Sequence, residues 1–415
     1  MKRKPMQALA VILAVILVAQ LGLLGYLHFA EKPEPTISAP ATQPTTEPTT
    51  EPTSEPTAEP TAEPTTEPTE PPTEPTEPPQ TSFVLTFTGD CTLGSLPSLF
   101  TVDQCFVPTV GEDYGYCFRN FAEVFAADDL TMINLESVFA NQGVPSEKLF
   151  AFRGPTEYIN ILTSSSVEAV TLANNHTMDF GAEGYESTKQ TLESGNVTYV
   201  EQNGSAIYTT EGGLVVGLYA AAFVRDNADM RQEIDSLKQR GAQIIVAAIH
   251  WGEEGYYRPI PAQTSWAHDL IDAGADIVWG NHPHTLQPIE YYKDGVIFYS
   301  LGNFSFGGNN FPLDLDAAVL QQEVVLDENG NATLGELAII PCSISSMPVQ
   351  NNFQPTPYEE GSPEYLRAMS KLDGTFKGAN LVVNYDKLQS TEPTSPPAEE
   401  APPPADPAPE PPAEP

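Results

Sequence analysis

The amino-acid sequence predicts an α/β fold for residues 81–390. Short apolar runs of strand length alternate there with amphipathic stretches of helical length, a pattern typical of α/β folds. The last two strand-like runs, at 323–327 and 333–341, follow each other without a helix, which indicates antiparallel pairing toward the end of the domain. Polar side chains stand directly after most of the earlier runs, where ligands collect in α/β sheets.

The first 30 residues read as a targeting segment. Lys2, Arg3 and Lys4 precede an apolar run that extends to about residue 30, and about 20 apolar residues are enough to span a bilayer. The run is long for a cleaved signal, and no clear Ala-x-Ala site follows it. We therefore expect residues 1–30 to be an uncleaved single-pass membrane anchor, with the rest of the chain extracytoplasmic. A cleaved signal peptide is the alternative.

Two further segments have the composition of disordered chain. Residues 31–80 consist of Thr-Glu-Pro repeats and hold 15 of the 41 prolines, and residues 391–415 hold another 11. Neither segment has enough apolar content to offset the loss of chain entropy on folding. We expect an extended linker and a disordered tail, with residues 81–390 as one folded domain.

The elements of that domain follow in order along the chain. The strand-like runs are short and apolar, and most of them end at a polar residue: 84–88, 130–134, 169–172, 214–219, 244–249, 277–279 and 296–300. The helix-like segments lie between them, at 118–127, 156–164, 184–193, 227–240 and 263–273. This order supports a sheet with parallel strands and crossover helices.

The net charge argues against nucleic-acid binding. Of the total of −38, residues 1–30 contribute +3, residues 31–80 contribute −10 and residues 391–415 contribute −6, so residues 81–390 carry −25. A domain this acidic has too few cations to neutralise phosphates. The simplest interpretation of this net charge is that it keeps an exported protein soluble.

The four cysteines leave their pairing open. Disulfides are permitted outside the membrane, and Cys105 and Cys117 are 12 residues apart in a loop-like stretch. With Cys91 and Cys342, however, three complete connectivities exist.

The histidines point to a metal site. The chain has six, and four of them stand at the ends of predicted strands: His176, His250, His282 and His284. Histidine is the commonest side-chain metal ligand. Carboxylates and an amide occupy equivalent positions, at Asp90, Glu136 and Asn175. Such a set can hold two divalent metals that activate water and clamp a displaced phosphoryl group, and its mixed oxygen and nitrogen donors favour Mn, Fe or Zn over calcium.

Each member of this set also has a structural explanation. Asp90 follows Gly89 and would suit a turn, Glu136 would suit a helix cap, and His250 would suit a buried, hydrogen-bonded imidazole. The segment His282-Pro283-His284 is harder to explain in this way, because two imidazoles flanking one proline face the same side if the segment is extended. His268 lies in a helix-like stretch, where we expect a surface or packing histidine.

Six motifs in a fixed order resemble a known family. They are Gly89-Asp90, Asn134-Leu135-Glu136, Ala173-Asn174-Asn175-His176 with Asp179 and Gly181, His250-Trp251-Gly252-x-Glu254, Gly280-Asn281-His282-Pro283-His284 and Tyr299-Ser300-Leu301-Gly302-Asn303-Phe304. Over residues 83–345 the set resembles the poly-γ-glutamate capsule biosynthesis protein CapA family, which is similar to the calcineurin-like metallophosphoesterases. The resemblance implies a four-layer α/β/β/α sandwich with metals at the strand ends.

The resemblance also implies roles for individual residues. It places six at metal-ligand positions: Asp90, Glu136, Asn175, His250, His282 and His284. It implies that His176 protonates the leaving group or stabilises the phosphate, and that Asp179 orients His176. We expect substrate contacts from Arg153, Glu254 and Asn303, with a surface loop arginine as the alternative for Arg153.

The chain departs from the superfamily pattern at two of these positions. The first motif is usually Asp-x-His, but here Thr92 stands at the histidine position, so one metal loses a nitrogen ligand. The usual aspartate of the second motif is Glu136, which is one methylene longer. We therefore expect one or two divalent ions.

The implied function is synthesis or export of an anionic surface polymer, the poly-γ-glutamate capsule, by a membrane-anchored protein with a metal-dependent, phosphoesterase-like hydrolase site. The expected partners are the bacterial membrane, through the N-terminal helix, and the polymer or its assembly machinery. The alternative is a non-catalytic polymer-assembly or surface scaffold component that retains a metal-binding fold.

Overall fold

A computed structural model of the protein describes residues 81–223 and 225–383. The expected anchor at 1–30, the linker at 31–80 and the tail at 391–415 lie outside these ranges, as do residues 384–390 of the expected domain. Within the described residues, no helix has both the length and the apolar composition that a membrane span requires.

The described residues contain sixteen strands, numbered here in chain order. They are β1 (Thr81–Thr92), β2 (Leu130–Leu135), β3 (Val138–Phe139), β4 (Arg153–Gly154), β5 (Ala169–Thr171), β6 (Thr198–Val200), β7 (Gly204–Thr209), β8 (Val215–Ala222), β9 (Ile244–His250), β10 (Ile277–Asn281), β11 (Leu286–Tyr292), β12 (Gly295–Leu301), β13 (Asn303–Phe306), β14 (Asp316–Leu326), β15 (Ala332–Ser343) and β16 (Thr356–Pro357). Each predicted strand-like run falls within or overlaps one of them.

The α-helices of the described part are α1 (Phe106–Val110), α2 (Ala122–Phe125), α3 (Ile159–Thr163), α4 (Gly181–Ser194), α5 (Asn227–Gln239), α6 (Pro261–Ala273) and α7 (Pro363–Leu372). The predicted helices at 118–127 and 156–164 are each a 3₁₀ turn followed by a short α-helix. The other three predicted helices correspond to α4, α5 and α6, whereas α7 lies beyond the stretch in which we predicted helices.

The strands form two large mixed sheets. The order in one sheet is β16-β15-β14-β1-β2-β5-β6, with β13 pairing in parallel with the end of β1. The order in the other is β11-β12-β10-β9-β8-β7. Strands β14 and β15 are antiparallel from the pair Asp316 and Ser343 to the pair Leu326 and Ala332. The α/β class and the antiparallel pairing near the end are therefore confirmed.

The two sheets pack face to face around one apolar core. The ring of Phe87 on β1 lies 5.7 Å from the rings of Trp279 and Phe298, which belong to β10 and β12 of the other sheet. The indole Nε1 of Trp279 also donates to the carbonyl of Thr88 at 2.9 Å. This bond ties the sheets together close to the ends of β1 and β10, where the candidate ligands lie.

Helices cover the outer face of each sheet. Side chains alternate along a strand, so Val246 and Ala248 of β9 face the core between the sheets, whereas Ile245 and Ala247 pack against α5 and α6. Helices α3 and α4 pack in the same way on the outside of the larger sheet. The resulting layers are α/β/β/α, so the expected four-layer sandwich is confirmed.

The cysteines play a packing role. All four are buried and free, so Cys105 and Cys117 do not pair in this structure. Burial raises the pKa of the Cys91 and Cys117 thiols to about 12. These side chains therefore act as small apolar groups.

Polar contacts hold the C-terminal part of the described chain against the sandwich. A buried ion cluster joins α7 to the start of β14, where the Asp316 carboxylate accepts hydrogen bonds from Arg367 at 2.7 and 2.8 Å and from Lys371 at 2.7 Å. Farther along, the backbone N–H of Leu381 donates to the carbonyl of Gly255 at 2.9 Å. The second contact brings the end of the described chain beside the carboxyl end of β9.

Candidate metal centre

The candidate ligands converge at the carboxyl ends of the parallel strands in both sheets. Asp90 lies near the end of β1, Glu136 directly follows β2, and His250 is the last residue of β9. The sequence predicted these strand ends, and the packing of the two sheets brings them together. The other predicted ligands lie just after β5 and β10: Asn175, His282 and His284.

Asp90 organises one side of the centre. It is fully buried, and its Oδ1 accepts from Asn134 Nδ2 at 2.8 Å. Its Oδ2 accepts from the backbone N–H of His282 at 3.1 Å and lies 3.0 Å from His284 Nδ1. The same His284 nitrogen is 2.8 Å from Asn303 Oδ1. Asp90 therefore holds the loop that carries both histidines.

His284 occupies a position that favours positive charge. Burial by itself would lower the pKa of its imidazole, but the carboxylates of Glu136 and Asp90 outweigh burial and raise it to about 10. Two buried carboxylates thus stabilise a cation here, whether it is an imidazolium or a metal ion.

Glu136 lies at the middle of the set. Its side chain is fully buried, and neither carboxylate oxygen has a hydrogen-bond donor in the described ranges. Its Oε1 is 3.6 Å from His250 Nε2 and 4.0 Å from His284 Nε2. Burial, reinforced by the nearby Asp90, raises its pKa well above the ordinary value. A buried carboxylate without donors is costly to ionise, so its position favours a bound cation.

His250 and His282 form the other side. His250 Nε2 lies 2.8 Å from Asn175 Oδ1. The ring centroids of His250 and His282 are 4.7 Å apart. Burial lowers the pKa of both rings, that of His282 to about 3. Neutral imidazole is the form that binds metals. His282 Nδ1 is buried and has no hydrogen-bond partner among residues 81–223 and 225–383.

The loop with both histidines has a strained backbone rather than an extended one. His282 has a φ of 97° and His284 a φ of 55°. Non-glycine residues rarely adopt such values, and strain of this kind clusters at functional sites. The two imidazoles therefore converge through left-handed residues on both sides of Pro283, so the condition of an extended segment is not met.

The donors fit a divalent metal ion. Three sets each bring one ligand atom per residue within 4.8 Å of one another: Glu136, His250 and His282; Asp90, Glu136 and His284; and Glu254, His282 and His284. The unpartnered oxygens of Glu136 and the unpartnered Nδ1 of His282 are the independent sign that these groups have a ligand to bind. Imidazole with carboxylate suits a first-row transition metal.

His176 and Asp179 form a hydrogen-bonded pair beside this set. His176 Nδ1 lies 2.7 Å from Asp179 Oδ2, which also accepts from the backbone N–H of Phe152 at 2.7 Å. Asp179 Oδ1 accepts from Lys148 Nζ at 2.8 Å. Because an ionised carboxylate only accepts, Nδ1 of His176 carries the proton and donates. The other ring nitrogen of His176, Nε2, does not take part in this hydrogen bond.

A cavity of about 300 Å³ opens beside the candidate centre. Its polar lining includes four of the predicted site residues: His176, Glu254, His284 and Asn303. Much of the remaining lining is apolar, including Phe152, Phe306, Leu313, Leu381 and Val383. The cavity is large enough for a small substrate or for part of a polymer chain.

Arg153 does not line this cavity. Its guanidinium lies 5.3 Å from the ring of Phe100 and 5.2 Å from the ring of Phe180. The neighbouring Phe152 lines the cavity, whereas Arg153 does not. The expected substrate contact of Arg153 therefore has no support from the geometry.

Several residues near the site were not assigned a role from the sequence. Asn134 and Asn174 stand inside the quoted motifs, and Asn174 Nδ2 donates to Asn134 Oδ1 at 3.0 Å. Their positions inside the motifs were the sequence feature that could have pointed to them. Lys148 also donates to the backbone carbonyl of Asn175, but it lies in an irregular loop that carries no such signal.

His268 lies outside the site, as expected. Its Nε2 is 2.8 Å from Glu290 Oε1, and its ring stacks on Tyr292 with a centroid distance of 3.8 Å. These contacts agree with the prediction of a surface or packing histidine.

Thr92, at the position of the missing histidine, gives a first testable prediction. Its hydroxyl is buried and lacks a partner in the described chain. Because valine has nearly the same shape, we expect Thr92→Val to raise the free energy of unfolding by about 1 kcal/mol and to leave the metal content unchanged. Urea unfolding and elemental analysis check the two parts.

Thr88→Val is the matched control, since the hydroxyl of Thr88 donates to the Gly89 carbonyl at 3.1 Å. This variant should lose stability. A loss of bound metal in Thr92→Val would instead make the Thr92 hydroxyl a ligand.

Comparisons with known proteins agree with the motifs. The family model described as "Bacterial capsule synthesis protein PGA_cap" matches residues 84–308. "Capsule biosynthesis protein CapA" of Bacillus anthracis is 27% identical over 336 residues, which cover 74% of this chain and 76% of that protein. "PGA biosynthesis protein CapA" of Bacillus subtilis (strain 168) is 29% identical over 285 residues, which cover 62% of this chain and 71% of that protein.

Among solved structures, the NAD nucleotidase (NadN) of Haemophilus influenzae aligns with a TM-score of 0.37 and 11% identity, over 75% of this chain and 66% of that chain. At this score the description of the fold rests on the strand order and the layers of the protein itself.

Proposed function

The chain belongs to the bacterial capsule synthesis protein PGA_cap family, and from this premise we propose that it acts in the synthesis or export of a poly-γ-glutamate surface polymer through a metal-dependent hydrolase site. The biological process is supported by the relatives, whose names describe capsule and PGA biosynthesis. The chemistry is supported by the residues of the site. The observation that carries it is the buried Glu136 carboxylate, which lies among histidines and has no protein donor in the described part of the chain.

The chain offers two overlapping sets of ligands for one or two ions. Glu136, His250 and His282, with the amide oxygen of Asn175, would hold one ion. Asp90, Glu136 and His284 would hold the other, with Glu136 shared between the two sets. A divalent metal bound there lowers the pKa of a bound water and neutralises the charge of a phosphoryl or acyl oxygen. Mn, Fe and Zn suit these donors.

His176 would act as the proton donor. Asp179 accepts from Nδ1 of the imidazole and fixes the orientation of the ring, so Nε2 is the nitrogen that would carry a proton to the leaving oxygen. Asn303 and the apolar rings around the cavity would hold the substrate beside it. We also propose that residues 1–30 anchor the protein in the membrane, with the domain extracytoplasmic.

The test is metal-dependent cleavage by the full-length protein, purified in detergent. We expect the chain to cleave a generic phosphodiester or poly-γ-glutamate when Mn²⁺, Fe²⁺ or Zn²⁺ is supplied. We expect His282→Ala to lower the rate about a thousandfold, which corresponds to about 4 kcal/mol. His268→Ala is the matched control, because His268 lies on α6 away from the ligands, and it should cleave at the wild-type rate. Wild-type protein that cleaves none of these substrates when Mn²⁺, Fe²⁺ or Zn²⁺ is supplied would contradict the proposal.

A second candidate function has one observation in its favour. The residues that line the cavity include Glu254 and Asp314 but neither lysine nor arginine, and residues 81–390 carry a net charge of −25. Such a site attracts a polyanion poorly unless metal ions are bound. A non-catalytic assembly component would show bound metal, no cleavage, and loss of surface polymer when its gene is deleted.

A further inference from the structure

One side of the candidate centre is short of ligands. The set of Asp90, Glu136 and His284 supplies three donors, and Thr92 stands where a fourth would be expected. The Thr92 side chain is fully buried within β1, and a neutral hydroxyl is a weak donor compared with imidazole or carboxylate. First-row divalent metals take at least four ligands, so another side chain or solvent must complete the set.

Glu254 brings a carboxylate to His282 and His284 from a different loop. One of its oxygens lies within 4.8 Å of ring nitrogens of both His282 and His284. Its side chain is half-buried and lines the cavity beside the centre. No donor in residues 81–223 or 225–383 makes a hydrogen bond or an ion pair with its carboxylate. The carboxylate therefore lies beside the two histidines, and no donor in the described ranges pairs with it.

The backbone holds the Glu254 loop against the histidine loop. The N–H of Gly255 donates to the carbonyl of Pro283 at 2.8 Å, and the hydroxyl of Thr285 donates to the carbonyl of Tyr256 at 2.8 Å. Gly252, with a φ of 86°, makes the turn after β9, where a Cβ would collide with the side chain of Gln263. These bonds and this turn fix the place of Glu254 relative to both imidazoles.

We propose that Glu254 is a direct ligand of a divalent metal ion at the His282–His284 loop and supplies the donor that is missing at Thr92. This inference rests on the proposed metal centre. It changes the role of Glu254 from the substrate contact expected from the sequence to a metal ligand. With a carboxylate oxygen in place of an imidazole nitrogen, the centre favours harder ions. The affinity for Mn²⁺ should therefore rise relative to the affinity for Zn²⁺.

The test measures metal binding rather than activity. Full-length protein in detergent is stripped with a chelator and titrated with Mn²⁺ in a calorimeter, and bound metal is counted by elemental analysis after dialysis. We expect wild type to bind two Mn²⁺ per chain, and E254Q to bind one of them at least about tenfold more weakly. We expect E254H to shift the ratio of Mn²⁺ to Zn²⁺ affinity toward Zn²⁺.

E253Q is the matched control, because Glu253 is the exposed neighbour and the substitution removes the same charge. E253Q should bind Mn²⁺ with the stoichiometry and affinity of wild type. The metal-free forms of all variants should have the same melting temperature. If wild type binds no metal, the proposed centre itself is wrong. If wild type binds metal and E254Q binds it with equal stoichiometry and affinity, only the role of Glu254 is overturned.

Discussion

Asp179→Asn is expected to lower the turnover number by about 10²- to 10⁴-fold while the protein keeps its metal. Asp179 is fully buried, and its Oδ2 accepts a hydrogen bond from His176 Nδ1 at 2.7 Å. An asparagine amide neither stabilises an imidazolium nor enforces the same tautomer. The proton donor is therefore lost although the ligands stay in place, and general acid catalysis is worth about this much.

The leaving group separates this role from a structural one. A p-nitrophenyl phosphodiester needs little help from an acid, so the variant should lose much less activity on it than on an alkyl phosphodiester. Elemental analysis and urea unfolding accompany the kinetics, since Asp179 also anchors Phe152 and Lys148. Equal losses on both substrates would rule out proton transfer through His176.

Asp316→Asn is expected to lower the free energy of unfolding by about 3 kcal/mol. The Asp316 carboxylate is fully buried, and Lys371 beside it is 2% exposed. Removing one partner of a buried ion pair costs about 3–5 kcal/mol. Lys371 keeps a second carboxylate, Asp314, at 2.5 Å, so the loss should lie at the lower end. Chemical denaturation of the full-length protein measures it.

The same cluster gives a pH dependence of known sign. Burial alone would raise the pKa of Asp316, but Arg367 and Lys371 outweigh it and lower the pKa below the ordinary value. Its contribution is complete above the unfolded-state pKa of about 3.9 and is lost as the pH falls through the folded-state pKa. The stability of Asp316→Asn should therefore fall less steeply in acid than that of wild type.

The matched control is Asp113→Asn. Asp113 pairs with Arg119 at 2.6 Å, but both side chains are about half exposed, and such pairs contribute less than about 1 kcal/mol. An equal loss in the two variants would mean that the buried cluster does not hold α7 onto the sheet.

Much of the fold was predictable because local patterns and the sandwich agree. Strands buried on both faces read as continuous apolar runs, as β9 does from Ile244 to Ile249, and His250 directly after such a run marks its carboxyl end. The ligand set followed from the same logic, since parallel strands place their ends along one edge. The roles of individual site residues came from the ordered motifs, and only the resemblance to a known family gives those motifs a meaning.

Other features depend on tertiary contacts that the sequence does not show. The left-handed backbone at His282 and His284 is imposed by the loop around Pro283 and by the hydrogen bond to Asp90. Arg153 could not be placed because a two-residue strand gives no readable alternation. The contact of Leu381 with Gly255 joins residues far apart in the chain, and no local pattern marks it.

The number of metal ions per chain tests the central claim most directly. Elemental analysis of the full-length protein, purified without a chelator, should find one or two divalent transition-metal ions per chain. The double variant Glu136→Gln/His282→Ala should contain none, because Glu136 belongs to two of the three ligand sets and His282 belongs to the third. Wild-type protein that is folded, contains no metal and binds none when Mn²⁺, Fe²⁺ or Zn²⁺ is added would contradict the account.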